Sequence, residues 1–487
     1  MNIQTQKDLL RLVLGKNLQI TTDAIRLISE QSDPKKALEN SIQKLEPQEF
    51  LLTTTHFTKT QSISEKKIGS LFKTEVSIIQ NFTKTPYADN LQTISDFFRA
   101  RYNYFKKVLS SRTNNTMSLA HAEKAKGEKC SLIGIVSDKR VTKNSVILEL
   151  EDPTGVLKTI TTSPEANTQA ESIVLDEVVA LEGSMGDDIF FTNNIIQPDL
   201  PTGKHMKKLS DSSYAAFLSD IHIGSKKFLR KEFKNLLDWF NSDVESNMQR
   251  EITDNINYIF IAGDLVDGIG VYPNQKDGLY ETDITKQYTE AAKLLSKIPE
   301  NIEIIICPGN HDYTHLAQPQ TPLTKDIAPE LNELNNVTMV SNPSLVNIHT
   351  SDGGGLNTLL YHGTSIDTIV ASDKTFKDGY KHPEIVMLAL LKKRHLSPIY
   401  SSDLVTSGQD SMVIPSDIDI FHTGHVHSNG AMNYRGVTML NSGTWQGKTD
   451  FQELCGHEPT PGNLPVINMK SREMQLINFY KNEPTRI

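Results

Sequence analysis

The spacing of apolar residues changes several times along this chain, and each change predicts a different kind of structure. Leu9, Leu10, Val13 and Leu14 recur at helical intervals. Ile25, Leu27 and Ile28 repeat the pattern, with Thr21, Thr22 or Asp23 placed to cap a second short helix. Residues 1–50 therefore predict a small helical module. The segments LLTTTHFTKTQSISEKK and FTKTPYADN are rich in Thr, Ser and Lys and predict a flexible linker over 51–91. Helical spacing resumes in QTISDFFRARYNYFKKVLSS through Ile94, Phe97, Phe98, Tyr102, Phe105 and Val108. This predicts a helix and connector over 92–127, with the apolar face lying on the next domain.

Over 128–205 the period falls to two. CSLIGIVSDKRV, SVILELEDPTG, EVVALEGSM and DIFFTNNII are short, β-branched and separated by turn residues. About five such strands suit a small β-barrel of the oligonucleotide-binding (OB) type. The barrel segment carries few basic or aromatic residues for stacking bases, so contact with DNA and contact with protein alone both stay open. Over 213–480, buried strands alternate with helices. Ala215-Ala216-Phe217-Leu218, Tyr258 to Ala262 and Ile304 to Cys307 are apolar runs. Phe228, Leu229, Phe233, Leu236, Leu237 and Phe240 mark one helix, and Tyr288, Ala291, Leu294 and Leu295 another. The expected fold class is multidomain: a helical module, an all-β barrel and an α/β domain.

Composition narrows the function. There are 50 Lys+Arg against 59 Asp+Glu, a net charge of −9. That balance disfavours an autonomous high-affinity nucleic-acid binder but leaves room for a nucleic-acid enzyme whose grip comes from a partner. Cys130, Cys307 and Cys455 lie far apart, so a disulfide framework is not expected and a reducing, cytoplasmic location is. No apolar run reaches the roughly 20 residues that span a bilayer, and MNIQTQKDLLRLVLGKN lacks signal-peptide features.

Polar residues with metal-binding capacity follow each apolar strand, where α/β sheets place their ligand sites. FLSDIHIGS carries Asp220 and His222, IAGDLVDG carries Asp264, and CPGNHD carries Asn310, His311 and Asp312. LLYHGTS carries His362, and IFHTGHVHSNG carries His422, His425 and His427. Carboxylate, imidazole and amide oxygen together suit manganese, iron or zinc. Asp264, central in the series, is the natural bridge between two ions, and such a pair can clamp a phosphoryl group. Alternate residues of Asp-x-His and His-x-His project the same way when extended. Gly263, Gly309, Gly363 and Gly424 permit close backbone approach. Cys455 and His457 alone make no zinc site. His315 and His395 fit a surface or cleft position, and His422 fits a support for the following turn.

The ordered set D-x-H, G-D, G-N-H-[DE], H and G-H-x-H resembles the calcineurin-like metallophosphoesterases over about 213–480, which implies an α/β sandwich. GDLVDGIGVYPNQ, ICPGNHD, KKRHLSPIY, FHTGHVHSNG, LNSGTWQGKTDFQ and PTPGNLPVINM resemble the small-subunit family of archaeal D-family DNA polymerases. With FFRARYNYFKKVLSSR and the barrel, that resemblance extends over roughly 92–480. It implies a 3′-to-5′ proofreading exonuclease that works on DNA 3′ ends in a heterodimer with a large polymerase subunit. It further implies that Asp220, His222, Asp264 and His427 hold one divalent ion, and Asp264, Asn310, His362 and His425 the other. Manganese is expected, with iron, zinc and magnesium as alternatives. His311 is expected to protonate the leaving 3′-oxygen, and Asp312 to orient His311. The competing classes are a non-catalytic scaffold B subunit, in related polymerases stripped of these ligands, and a free-standing repair nuclease, whose phosphoesterase domain stands at the amino terminus. In YTHLAQPQ, His315 stands where the resemblance implies an arginine, leaving a phosphate contact unassigned. Ile94-Ser-Asp-Phe97-Phe98, with Gln92 displaced by one position, resembles a sliding-clamp-binding peptide, a reading ranked below the packed helix.

Overall fold

The computed structural model describes residues 75–84, 91–241, 246–349, 355–400, 409–480 and 484–485. From the first 69 positions it describes 9, 12–13, 19–20, 28, 34–42 and 51–52. The chain divides into two units, 1–69 and 70–487. In the first, Leu9, Val13 and Ile28 are helical and buried, as is Leu38 in the helix Pro34–Ile42. Gln19–Ile20 pairs in parallel with Leu51–Leu52, so a strand stands at the start of the expected linker. Leu10, Leu14, Ile25 and Leu27 lie outside the described residues.

In the second unit, Lys129–Val141, Val146–Asp152, Gly155–Thr161, Phe190–Ile196 and Val178–Met185 form a closed five-stranded barrel. The first and last of these pair from Lys129↔Ser184 to Ile135↔Val178, which seals the cylinder. Period-two patterning is what makes this possible. Along Val146–Asp152, Val146, Leu148 and Leu150 turn inward beside Leu132, Val136, Leu181 and Phe190. The helix Pro164–Glu171 crosses between strands, with Ser163 Oγ accepting from Ala166 N at its start.

The remaining chain forms two sheets packed face to face. In one, Val337–Met339, Glu303–Cys307, Ile256–Ala262 and Tyr214–Leu218 run parallel, and Asn463–Asn468, Met474–Asn478 and Pro484–Thr485 extend it antiparallel. In the other, the order is Asn429–Tyr434, Val437–Ser442, Ile420–Thr423, Gly355–Leu360, Ser344–His349 and Glu75–Gln80. Glu75–Gln80, inside the segment predicted as a linker, is thus an edge strand antiparallel to Ser344–His349. Its side chains are mostly exposed, so it carries little of the apolar alternation from which a strand is read.

Phe217, Phe260, Ile305, Leu360, Ile420 and Leu440 fill the space between the sheets, with Phe217 and Phe260 stacked at 5.3 Å. Strands buried on both faces read as unbroken apolar runs for this reason. Arg230–Phe240 and Ile284–Leu295 cover one outer face through Phe233, Leu237, Tyr288 and Leu295. Ser365–Ser372 and Pro383–Lys393 cover the other through Ile366, Ile369, Met387 and Leu390.

The helix Leu91–Ser110 joins barrel to sandwich. Tyr102, Phe105 and Leu109 pack on Ile133, Val178 and Ala180 of the barrel. Arg101, 1% exposed, bonds Asp410 Oδ2 at 2.7 Å and the carbonyls of Asp176 and Pro398. His395 lies in the same cluster, 3.0 Å from the Arg101 guanidinium and 2.8 Å from Asp410. It is therefore neither a surface nor a cleft residue, because the Arg101 and Asp410 side chains enclose it. Phe97, an anchor of the clamp-peptide reading, is buried in this helix against Tyr400 and Arg101. Lys393 and Glu177 form a second buried link at 2.8 Å, both side chains 1% exposed. Among the described residues no helix is long and apolar enough to cross a membrane.

Candidate metal centre

The strands Tyr214–Leu218, Ile256–Ala262 and Glu303–Cys307 end side by side, as do Gly355–Leu360 and Ile420–Thr423 of the facing sheet. The loops that follow bring Asp220, His222, Asp264, Asn310, His362, His425 and His427 together. Five of these adopt the left-handed conformation: Asp220 (φ 51°), His222 (54°), Asp264 (51°), His425 (73°) and His427 (58°). Each such residue stores roughly 1–3 kcal/mol and persists only where its surroundings over-determine it. Here backbone bonds do so: Asp220 N donates to Gly263 O, Ile221 N and His222 N to Asp264 O, and Gly424 N to His362 O. Gly309 and Gly263 leave the required room. A Cβ on Gly309 would collide with the Asp264 carboxylate, and one on Gly263 with the His362 ring.

Two groups of donor atoms result. His222 Nε2 lies 3.1 Å from His427 Nε2, 3.9 Å from Asp220 Oδ1 and 3.8 Å from Asp264 Oδ2. His362 Nε2 lies 3.3 Å from Asp264 Oδ2 and 2.9 Å from Asn310 Oδ1, which is 3.1 Å from His425 Nδ1. Asp264 Oδ2 belongs to both groups, the position of a bridge. Asp220 Oδ1 is buried, without a hydrogen bond among the described residues, 3.3 Å from His427 Nε2. An orphaned carboxylate oxygen facing imidazole nitrogens is a donor set suited to a divalent cation.

Electrostatics point the same way. Burial lowers the His222 imidazole, but the Asp267 hydrogen bond and the charges of Asp267, Asp264 and Asp220 outweigh it, and the ring rises to about 9. Burial is likewise outweighed at His362, which Asp264 lifts to about 10. At Asp264 burial acts upward, yet His362, His311 and His222 hold it well below the usual carboxylate range. The centre therefore draws positive charge.

Several partners have no counterpart in the sequence pattern. Asp267 pairs with His222 Nδ1 at 3.0 Å, and its carbonyl is 2.8 Å from His311 Nδ1. Gln275 and Gln446 each donate to its carboxylate. Asp367 stands 2.9 Å from His425 Nε2, and Gln452 Nε2 is 2.7 Å from His427 Nδ1. Acceptors such as the Asp267 and Asp367 carboxylates keep the far nitrogen of an imidazole protonated, the tautomer that leaves the near nitrogen open to a cation. Asp267 had one local clue, an acid three residues after Asp264 in GDLVDG.

Asp312 departs from expectation. Its Oδ2 accepts from Gly309 N at 2.9 Å and Leu265 N at 3.3 Å, and its Oδ1 from Tyr288 OH at 3.1 Å. Buried there and raised to about 6 by desolvation and the Asp264 charge, it braces the Gly-Asn-His-Asp loop. His311 Nδ1 instead meets the Asp267 carbonyl, and the Asp312 carboxylate is taken up by Gly309, Leu265 and Tyr288. His422 also stays outside the donor groups, 2.9 Å from Ser442 Oγ beneath the Gly-His-x-His turn. His315 is absent from the cleft wall, and both its ring nitrogens are buried without hydrogen bonds among the described residues. Cys455 is exposed, while His457 stacks on Tyr380 at 4.3 Å.

A cleft of about 410 Å³ opens over the donor groups, with His311 in its wall. The profile of the calcineurin-like phosphoesterases matches residues 215–429, the segment that supplies every donor. Similarity to relatives runs further. The DNA polymerase II small subunit of Methanocaldococcus jannaschii is 40% identical over 85% of this chain and 71% of its own length. That of Archaeoglobus fulgidus is 37% identical over 90% and 89%, and that of Methanothermobacter thermautotrophicus 38% over 79% and 78%. Similarity of that extent reaches far beyond residues 215–429, and so the chain belongs to the archaeal DNA polymerase II small-subunit family, with a calcineurin-like phosphoesterase domain.

Proposed function

We propose that this chain is the 3′-to-5′ proofreading exonuclease of a heterodimeric polymerase, hydrolysing the terminal phosphodiester of a DNA 3′ end. The observation that carries this reading is the complete donor set converging in two groups that share Asp264. A scaffold subunit has no need to hold five residues in left-handed conformations around buried carboxylates. Asp220, His222, Asp264 and His427 would hold one divalent ion, and Asp264, Asn310, His362 and His425 the other. Manganese suits this mixture of imidazole, carboxylate and amide. Bound there, the two ions supply Lewis-acid stabilisation of the phosphoryl oxygens and lower the pKa of water.

The protein's own residues do the rest. Asp267 fixes His222 and, through its carbonyl, holds the Nδ1–H of His311, so His311 Nε2 is the atom left to exchange a proton. Burial lowers His311 more than Asp264 raises it, so the free enzyme carries this ring neutral. An anionic phosphodiester raises it again, and the proton taken up passes to the leaving 3′-oxygen. Asp312 has no part in this step. With a net charge of −9, the subunit depends on a large subunit to hold DNA and present its end repeatedly.

End-labelled oligonucleotides with a mismatched 3′ terminus test the proposal. Manganese-dependent release of 3′ nucleotides by the chain, alone or with its large subunit, is expected. Inactivity in both settings, with metal bound, would overturn it.

A further inference from the structure

The wall of the cleft is unusual for a site that receives a polyanion. Among the described residues lining it there is no Lys or Arg. The wall is instead apolar and aromatic around the donor atoms: Val271, Tyr272, Pro273, Val426, Phe451 and the stacked Tyr380–His457 pair. Phosphate contacts from Lys and Arg, the usual source of affinity for DNA, are therefore missing from this wall.

Two of these residues are also unsatisfied as core. Phe451 is 67% exposed on the short helix Asp450–Leu454, and Tyr272 is 43% exposed. Both positions are well supported. Thr449 and Gln452 form a reciprocal capping box at the start of the Phe451 helix, and Gln452 also reaches His427. The Tyr272 ring lies 6.1 Å from that of His311, and the neighbouring Val271 N is bonded to Gln275 Oε1. Exposed aromatic rings held beside a reaction centre, on a cleft wall without Lys or Arg, suit a planar and largely uncharged group. A nucleic-acid end offers one such group, its base, and stacking accepts any of the four bases.

We propose that Tyr272 and Phe451 form a subsite that stacks the unpaired base of the 3′-terminal nucleotide, so that the site selects frayed or mismatched ends. A paired terminal base is already stacked on its neighbour and cannot enter the cleft without leaving the duplex. This deepens the nuclease reading and rests on it.

The test uses the full chain assembled with its large subunit and single-stranded oligonucleotides ending either in a normal nucleotide or in an abasic one. For the wild type the base lowers KM by about 5- to 150-fold, the worth of one base–aromatic stack. In Phe451→Ala and in Tyr272→Ala that advantage shrinks to about twofold or less with kcat on the normal end largely kept, and Phe451→Trp restores it. Equal KM for the two ends in the wild type, or an undiminished base advantage in both Ala variants, overturns the subsite. Loss of large-subunit association in Phe451→Ala, with the base advantage intact, shows instead that a protein partner covers this ring and also overturns it. If neither end is hydrolysed, the nuclease reading fails. Equilibrium affinity for the same two ends, by fluorescence anisotropy, then decides the subsite on the same criteria.

Discussion

His222 and His427 hold their Nε2 atoms 3.1 Å apart across 205 residues of sequence, and the other nitrogen of each ring is committed elsewhere. His222 Nδ1 is paired with the Asp267 carboxylate, and His427 Nδ1 faces the Gln452 amide. The two Nε2 atoms thus face each other at hydrogen-bond distance, and a cation held between them displaces any proton there. With His222 raised to about 9 and His362 to about 10, both rings carry protons at neutral pH, and ligation has to displace them. Metal affinity is expected to rise with pH from about 6 to 8, by roughly tenfold per pH unit for each proton displaced. Titration calorimetry with manganese in buffers of different ionisation enthalpy measures this, and a flat profile without proton release would contradict it.

Loading the site should also stabilise the fold. Bound ions neutralise Asp220 and Asp264 only in the native state, so at 100-fold excess over Kd the gain is about 2.7 kcal/mol for each ion bound. Asp264→Ala removes the atom shared by both groups and should abolish that gain. Melting curves with manganese and with chelator compare the two proteins directly.

His311→Ala and Asp267→Ala should fail differently. His311 holds no donor position in the proposed ligand set, so its loss costs about 10²–10⁴ in rate with metal content kept. Asp267 orients His222, so its loss weakens metal binding by about 10–100-fold. Metal analysis beside the exonuclease rate separates them, and a metal-depleted His311→Ala would reverse the roles.

The Glu177–Lys393 pair ties the barrel to the sandwich. Glu177 also accepts from Gln197 and Val174 N, and Lys393 donates to Ser172 O. Lys393→Met leaves a buried carboxylate without its cation and should cost about 3–5 kcal/mol, whereas adding Glu177→Gln should recover much of that loss. Denaturant unfolding of both single variants and the double variant gives the coupling.

His422 sets an acid limit. Burial pushes its ring down to about 3, whereas an unfolded histidine titrates near ~6.5. Between those values the unfolded chain takes up a proton that the folded one refuses, so stability falls as pH falls. Relative to His422→Gln, the wild type should lose about 1.4 kcal/mol more per pH unit on going from pH 6 to 4. Parallel slopes would show that His422 accepts a proton in place.

The amino-acid sequence by itself marked the polar residues that converge at the strand ends, because each follows an apolar strand within a few residues and that relation is local. It likewise determined the barrel strands, whose alternation of buried and exposed side chains follows from the two-residue repeat of a strand. Tertiary structure decided what orients the donors. Asp267, Asp367 and Gln452 acquire their roles from partners 45, 58 and 25 residues away, and no spacing rule reports such meetings. It also turned Asp312 away from His311, since neighbours on a tight loop need not face one way. Arg101, Asp410 and His395 meet across as many as 309 residues, where the only driving force is to satisfy charges that packing has buried. Glu75–Gln80 became a strand through backbone pairing to Ser344–His349, and backbone bonds leave little trace in side-chain pattern.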